Sequence, residues 1–257
     1  MIEIAIALGV IAFALIAIIG ILPVGLNVQR ETHQDEVIGQ DGRFFLEAIR
    51  KGGPATNLGA NTSLDFLTNY VEQIAIITIS ANGNATATNV YTTNVPSGHY
   101  YTNGAMILGL LTTPASYWPV YGQNLNSVTA RIRGLTGAAT EQGGSNAVTA
   151  FRYYMNVEIV PFNSISPQSF DYMDYNQTND PINYGIRLER FTEVPYLENN
   201  LYEVRLRFSW PVRPNGTEGP GRQIYRSLVS AHPVNCTNNA SLYWFFQPNT
   251  YNTNFIL

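Results

Sequence analysis

Residues 1–29 read MIEIAIALGVIAFALIAIIGILPVGLNVQ, and no charge occurs from Ile4 to Gln29. The apolar part, Ile4 to Leu22, is 19 residues long. As an α-helix it spans roughly 28 Å, close to the hydrocarbon thickness of a bilayer. It is apolar on every face, which excludes an amphipathic surface helix. A signal-peptide core normally follows a basic stretch and precedes a small-residue cleavage site. Here no Lys or Arg stands before it, and Leu22-Pro23-Val24-Gly25 is a poor cleavage site. A plain signal anchor is the other reading of this stretch.

Two residues interrupt the apolar pattern. Glu3 stands immediately before the run, and a carboxylate at a membrane edge is costly and usually functional. It either serves assembly or merely marks the edge. Pro23 cannot donate a backbone hydrogen bond to Ile19, and Gly20 and Gly25 flank it and lower helix propensity further. From Val28 onward the pattern turns polar through Gln29, Arg30, Glu31, His33, Gln34, Asp35 and Glu36. Val37, Phe44, Phe45, Leu46, Ala48 and Ile49 add an apolar stripe with partial helical spacing. Lys51-Gly52-Gly53-Pro54 is a stop signal, with glycine for the C-cap and proline to block continuation. The spacing predicts one two-part helix of about 50 residues.

Met1-Ile2-Glu3-Ile4-Ala5-Ile6-Ala7-Leu8-Gly9-Val10-Ile11-Ala12 resembles the mature N-terminus of type IV pilins and pseudopilins. The family usually has four residues before this glutamate, whereas Met1 and Ile2 alone precede it here. The resemblance implies that a prepilin peptidase processes the chain and that Met1 lies at or near a methylated end. It implies that Glu3 pairs with an N-terminal amine of its own or a neighbouring subunit, and that the helix unwinds near Pro23 when subunits pack. A static kink at Pro23 is the alternative. The implied fold is α+β and pilin-like: a long hydrophobic N-terminal helix packed on a head rich in antiparallel β-sheet. Residues 1–51 form the helix, with 1–27 for membrane and filament core and 28–51 packed on the head; residues 52–257 form the head. The implied partners are identical subunits in a helical filament and the inner-membrane pilus assembly machinery. The chain would sit in the inner membrane before assembly and in an extracellular filament afterwards.

After residue 54 the signals are strands broken by Asn, Gly and Pro clusters. Strands are expected at Ile74–Ser80, Met106–Leu111, Ser127–Leu135, Ala147–Val160, Leu201–Trp210, Gln223–Ser230 and Leu242–Phe246. Ser63 is expected to cap a short helix running to Tyr70. In Leu201–Trp210, Val204, Leu206, Phe208 and Trp210 alternate with Arg205, Arg207 and Ser209, the pattern of a half-buried antiparallel strand. Its partner carries Ile224, Tyr225, Leu228 and Val229 across the Pro214–Gly221 loop. This region, with Leu22-Pro23-Val24-Gly25-Leu26, is similar to pilin-like cassette proteins of Verrucomicrobia-type bacteria.

With 257 residues, 45% of them hydrophobic and 12% charged, the chain is long and apolar enough to bury a core. A net charge of −4 suggests no nucleic-acid partner. Lys51 is the only lysine, beside 13 arginines and 26 asparagines. That usage fits either exposed β-structure against identical neighbours or a lineage bias. Cys236 is the only cysteine, so neither an intrachain disulfide nor a cysteine-based metal site forms.

No HExxH, P-loop, GxSxG or dinucleotide-binding glycine motif is present, and His33, His99 and His232 are isolated. No catalytic residue is assigned and the chain is not read as an enzyme. Glu158 and Glu203 read as ion-pair partners of arginines. Oxygen-rich side chains at Asp171, Asp174 and Asp180 suit either calcium or a solvated loop, without EF-hand spacing. Sequons begin at Asn61, Asn84, Asn176, Asn215, Asn235 and Asn239, candidate glycosylation sites that so much Asn and Thr also generates by chance. Tyr117, Trp118, Tyr121, Tyr172 and Tyr175 suit intersubunit contacts or, in the rival reading, the stacking surface of a membrane-anchored adhesin or carbohydrate-binding protein.

Overall fold

The computed structural model describes residues 2–53, 63–79, 85–93, 99–115, 125–135, 151–161, 200–238 and 241–247. Helix α1 (Ile2–Lys51) runs for 50 residues, with Glu3 in its first turn and Arg50 and Lys51 in its last. Both placements complement the helix dipole. The chain falls into two compact units, Met1–Gln40 and Asp41–Leu257. The division lies inside α1, so Asp41–Lys51 belong to the head unit. The helix ends where the glycines stand. Gly52 has φ +67° and its N–H bonds the Ile49 carbonyl at 3.1 Å, a left-handed cap that glycine adopts without strain.

The head unit is built on a six-stranded, wholly antiparallel sheet. Its strands are β1 (Val71–Ile79), β2 (Ala85–Tyr91), β3 (Leu125–Arg133), β4 (Arg152–Pro161), β5 (Leu201–Val212) and β6 (Glu218–Ser230), in the spatial order β2-β1-β3-β4-β5-β6. A separate hairpin pairs β7 (Pro233–Asn238) with β8 (Ser241–Phe246). The fold is therefore α+β. Alternation places one face of each central strand in the core, and register aligns these faces. Ala130 opposes Met155, which opposes Phe208; Val128 opposes Val157, which opposes Leu206. All six are essentially inaccessible.

The last turns of α1 complete this core. Phe45 and Ile49 are fully buried, and Phe44 stacks against Phe45 and Phe66. A chain of rings runs Tyr153–Phe208–Tyr225 with centroid separations of 5.5 and 5.6 Å. Within it sits one carboxylate. Asp41 is fully buried, and its Oδ2 accepts hydrogen bonds from the Tyr153 hydroxyl at 2.9 Å and the Leu135 N–H at 3.0 Å. A buried charge is tolerated only with such partners.

Two expectations fail in the connections. Met106–Leu111 is not a strand but part of helix α2 (Gly104–Leu111), all eight residues of which are buried. An unbroken apolar run carries no period, so the ends decide. Asn103 caps the helix by accepting the Met106 N–H, and Asp65 accepts the Gly104 N–H. The short helix near residue 65 is a 3-10 turn, Asp65–Asn69, with Leu64 rather than Ser63 at its N-cap and no side-chain cap bond. Strands β2 and β7 are additional to those expected; their Ala, Thr and Asn residues show no apolar alternation.

Two outcomes follow for the head unit. A Cβ on Gly52 would lie 1.6 Å from the Phe246 carbonyl oxygen, besides the φ penalty. Gly52→Ala should therefore cost roughly 2–4 kcal/mol, read as a lowered thermal midpoint. Burial first, then the neighbouring Asp41, pushes the Tyr153 hydroxyl well above its usual range. The folded state keeps this phenol neutral, whereas in the unfolded chain it ionises near pH 10. Its contribution is complete below about pH 10 and is lost as pH rises further. Denaturant titrations should show stability falling above about pH 10, with a shallower fall in Tyr153→Phe.

Candidate assembly surface

The first half of α1 presents apolar side chains to solvent. Ile2, Ile4, Ile6, Leu8, Val10, Ile11, Phe13, Leu15, Ile16 and Ile18 are 54–77% exposed, and Leu26 and Val28 reach 60% and 56%. They point in all directions around the axis, as successive residues on a helix must. Added methyl groups at Gly9 and Gly25 would meet only open space. Glu3 is exposed in the first turn. The backbone is helical through Gly20 and Pro23 in the single chain; the expected unwinding there concerns the assembled state. Met1 lies outside the described residues, as do the side chains of residues 5, 17 and 19–24. Among the described residues no helix is long and apolar enough to cross a membrane. Beyond Val28 the exposed residues turn polar: Arg30, Glu31, His33, Asp35 and Glu36.

The outward face of the sheet is polar and rich in arginine. Glu72 lies within 2.9 Å of Arg131, 2.8 Å of Arg152 and 4.0 Å of Arg133. Arg133 also donates to the Asn69 carbonyl. On the far side Arg205 lies between Glu203 and Glu158, and Arg207 reaches Glu158 at 3.4 Å. The hydrogen bond from Arg205 holds the Glu203 carboxyl below its usual range, against a smaller opposing effect of burial. Glu158 and Glu203 are thus bound to arginines, as the strand alternation implied. Arg222 pairs with Glu218 at 2.8 Å, and Arg226 is exposed. Arg205 and Arg207 follow from the alternation in β5. The same every-second-residue signal stands at Arg131 and Arg133.

The remaining candidates separate. Asn215 is exposed in the β5–β6 turn, where its Oδ1 accepts from the Thr217 N–H and hydroxyl at 3.0 and 2.7 Å. Asn235 is exposed on β7, opposite Trp244. Asn61, Asn84, Asn176 and Asn239 lie outside the described residues, as do Asp171, Asp174, Asp180 and the aromatic set Tyr117, Trp118, Tyr121, Tyr172 and Tyr175. Among the described residues no group of three or more His, Cys, Asp or Glu is arranged to hold a metal ion. His99 packs on the Tyr91 ring at 5.0 Å. Burial pushes the Cys236 thiol up, the opposite of what a reactive thiolate requires. Comparison of the chain with protein-family models, curated proteins and solved structures gives no match.

Proposed function

We propose that this chain is a structural subunit of a type IV pilin-like filament, polymerising through the apolar half of α1. What supports the reading is the sleeve of large apolar side chains that α1 exposes from Ile2 to Ile18. A contiguous apolar surface of this kind marks a membrane or protein contact. Burying a Leu, Ile, Val or Phe side chain contributes about 1.5–3 kcal/mol. For a dozen half-exposed side chains the sum is on the order of 10–20 kcal/mol, enough to offset the entropy lost on association. Like helices from neighbouring subunits cover all sides at once, which suits a segment without a polar stripe. A bilayer can hold the same segment before assembly.

Glu3 then gains a role. Inside a bundle of apolar helices a carboxylate requires a cationic partner from its own or a neighbouring subunit. At an effective dielectric near 20, opposite charges about 4 Å apart attract by roughly 4 kcal/mol before desolvation. A subunit entering out of register leaves the charge unpaired, so the pair selects register.

Electron microscopy of the sheared surface fraction tests the reading, and helical fibres made of this chain are the expected result. Glu3→Gln keeps the shape and removes the charge. It should abolish or sharply reduce fibres while head folding is retained, and fibres at wild-type abundance would show that assembly does not use the charge. Deletion of residues 1–27 should give a folded, soluble monomer by circular dichroism and sedimentation. Polymers of the truncated chain would move assembly to the head.

A further inference from the structure

Among the described residues, the charges on the outward face of the sheet do not balance. Seven of the chain's 13 arginines lie there: Arg131, Arg133, Arg152, Arg205, Arg207, Arg222 and Arg226. Among the described residues of that face only Glu72, Glu158, Glu203 and Glu218 oppose them, which leaves three positive charges over. Register makes the surplus sharper. Arg133 pairs directly with Arg152, and Arg205 directly with Arg226. Like charges opposite one another across a ladder are destabilising. Glu72 answers the first pair. For the second, Glu203 and Glu158 are engaged by Arg205 and Arg207; Arg226 adds a charge–charge attraction to Glu203 and stands exposed. Ile224 and Leu228 flank Arg226 on the same face and are 50% and 49% exposed. Arginine between apolar side chains is a composition favoured at protein interfaces.

The chain carries a matching surface of opposite sign. On α1, Val28, Glu31 and Asp35 are exposed at i, i+3 and i+7, along one side of the helix. Arg30 and His33 lie on the other side by the same geometry, and Glu36 borders the acidic side. Ile224 and Leu228 each stand about 7 Å from Arg226 along β6, and Val28 stands about 4.5 Å from Glu31 along the helix axis. The apolar end of the helix stripe, Val28, corresponds to Ile224 or Leu228. We propose that the Ile224–Arg226–Leu228 face of β6 docks on the Glu31–Asp35 side of α1 in a neighbouring copy. The inference rests on the filament reading and names the head-to-stem contact within it. The apolar sleeve supplies most of the affinity. The charge pairing selects which neighbour, and in which register, the head meets.

The experiment is a charge swap in the full chain, with the critical concentration for polymerisation as readout. Arg226→Glu should raise that concentration about tenfold at low salt, as should Glu31→Arg combined with Asp35→Arg. Because both surfaces are exposed, circular dichroism of each variant should match wild type. Combining all three substitutions should restore polymerisation to within about twofold, and near 1 M salt the single-surface defects should shrink. Wild-type polymerisation by Arg226→Glu, or failure of the triple variant to recover, overturns the contact while leaving the filament reading intact. Absence of fibres from the wild-type chain overturns the filament reading, and the contact with it.

Discussion

The buried carboxylate of Asp41 is the constraint around which the head is organised. It stands at the point where α1 enters the head unit and receives hydrogen bonds from β4, through Tyr153, and from the end of β3, through Leu135. A carboxylate taken out of water has few acceptable geometries, so these bonds fix the axial position and the rotation of the helix together. Once Asp41 is set, the helical repeat carries Phe45 and Ile49 into the core. Gly42 follows for the same reason. A Cβ there would lie 2.4 Å from the Tyr225 ring, so the helix approaches β6 closely only because that position has no side chain. Directional polar contacts choose the orientation, and non-directional apolar burial supplies most of the stabilisation.

Much of this was legible in the residues. The 50-residue helix, its end at Gly52 and the strands around Arg205 and Arg207 follow from apolar period, glycine–proline punctuation and alternation. The misses have a common physical cause. GAMILGLL in α2 is apolar throughout, and a run without a polar face does not distinguish helix from strand. Its start is fixed by the local cap Asn103 together with Asp65, which is 39 residues from Gly104 and near it only in the fold. ATATNVY in β2 lacks an apolar face because it is an edge strand, so pairing with β1 rather than alternation places it. Asp41 was invisible for a related reason. A charged residue in a polar-looking stretch reads as exposed until its remote partners at residues 135 and 153 are known.

The two faces of the sheet obey different rules. Inward, complementary volume decides, and the ladder from β3 to β5 is filled by apolar side chains of mixed size. Outward, charge decides, and arginine is used almost to the exclusion of lysine. A guanidinium has five donors in a planar fork and serves several acceptors at once. Arg205 contacts Glu203 and Glu158 in this way. Three guanidiniums likewise converge on the single carboxylate of Glu72. Such shared pairs are each weak in water but hold long side chains in fixed positions, which gives the face a defined pattern of charge.

The continuity of α1 has a mechanical consequence. A pull on its first residues travels along one helix backbone to residues 41–51, where Asp41 is tied to Tyr153 and Leu135 and Phe45 and Ile49 are buried. The compliant element lies upstream. At Pro23 the bond to the Ile19 carbonyl is missing, and Gly20 and Gly25 lower the cost of extending the neighbouring turns. That stretch has the least backbone bonding to lose when the helix is pulled.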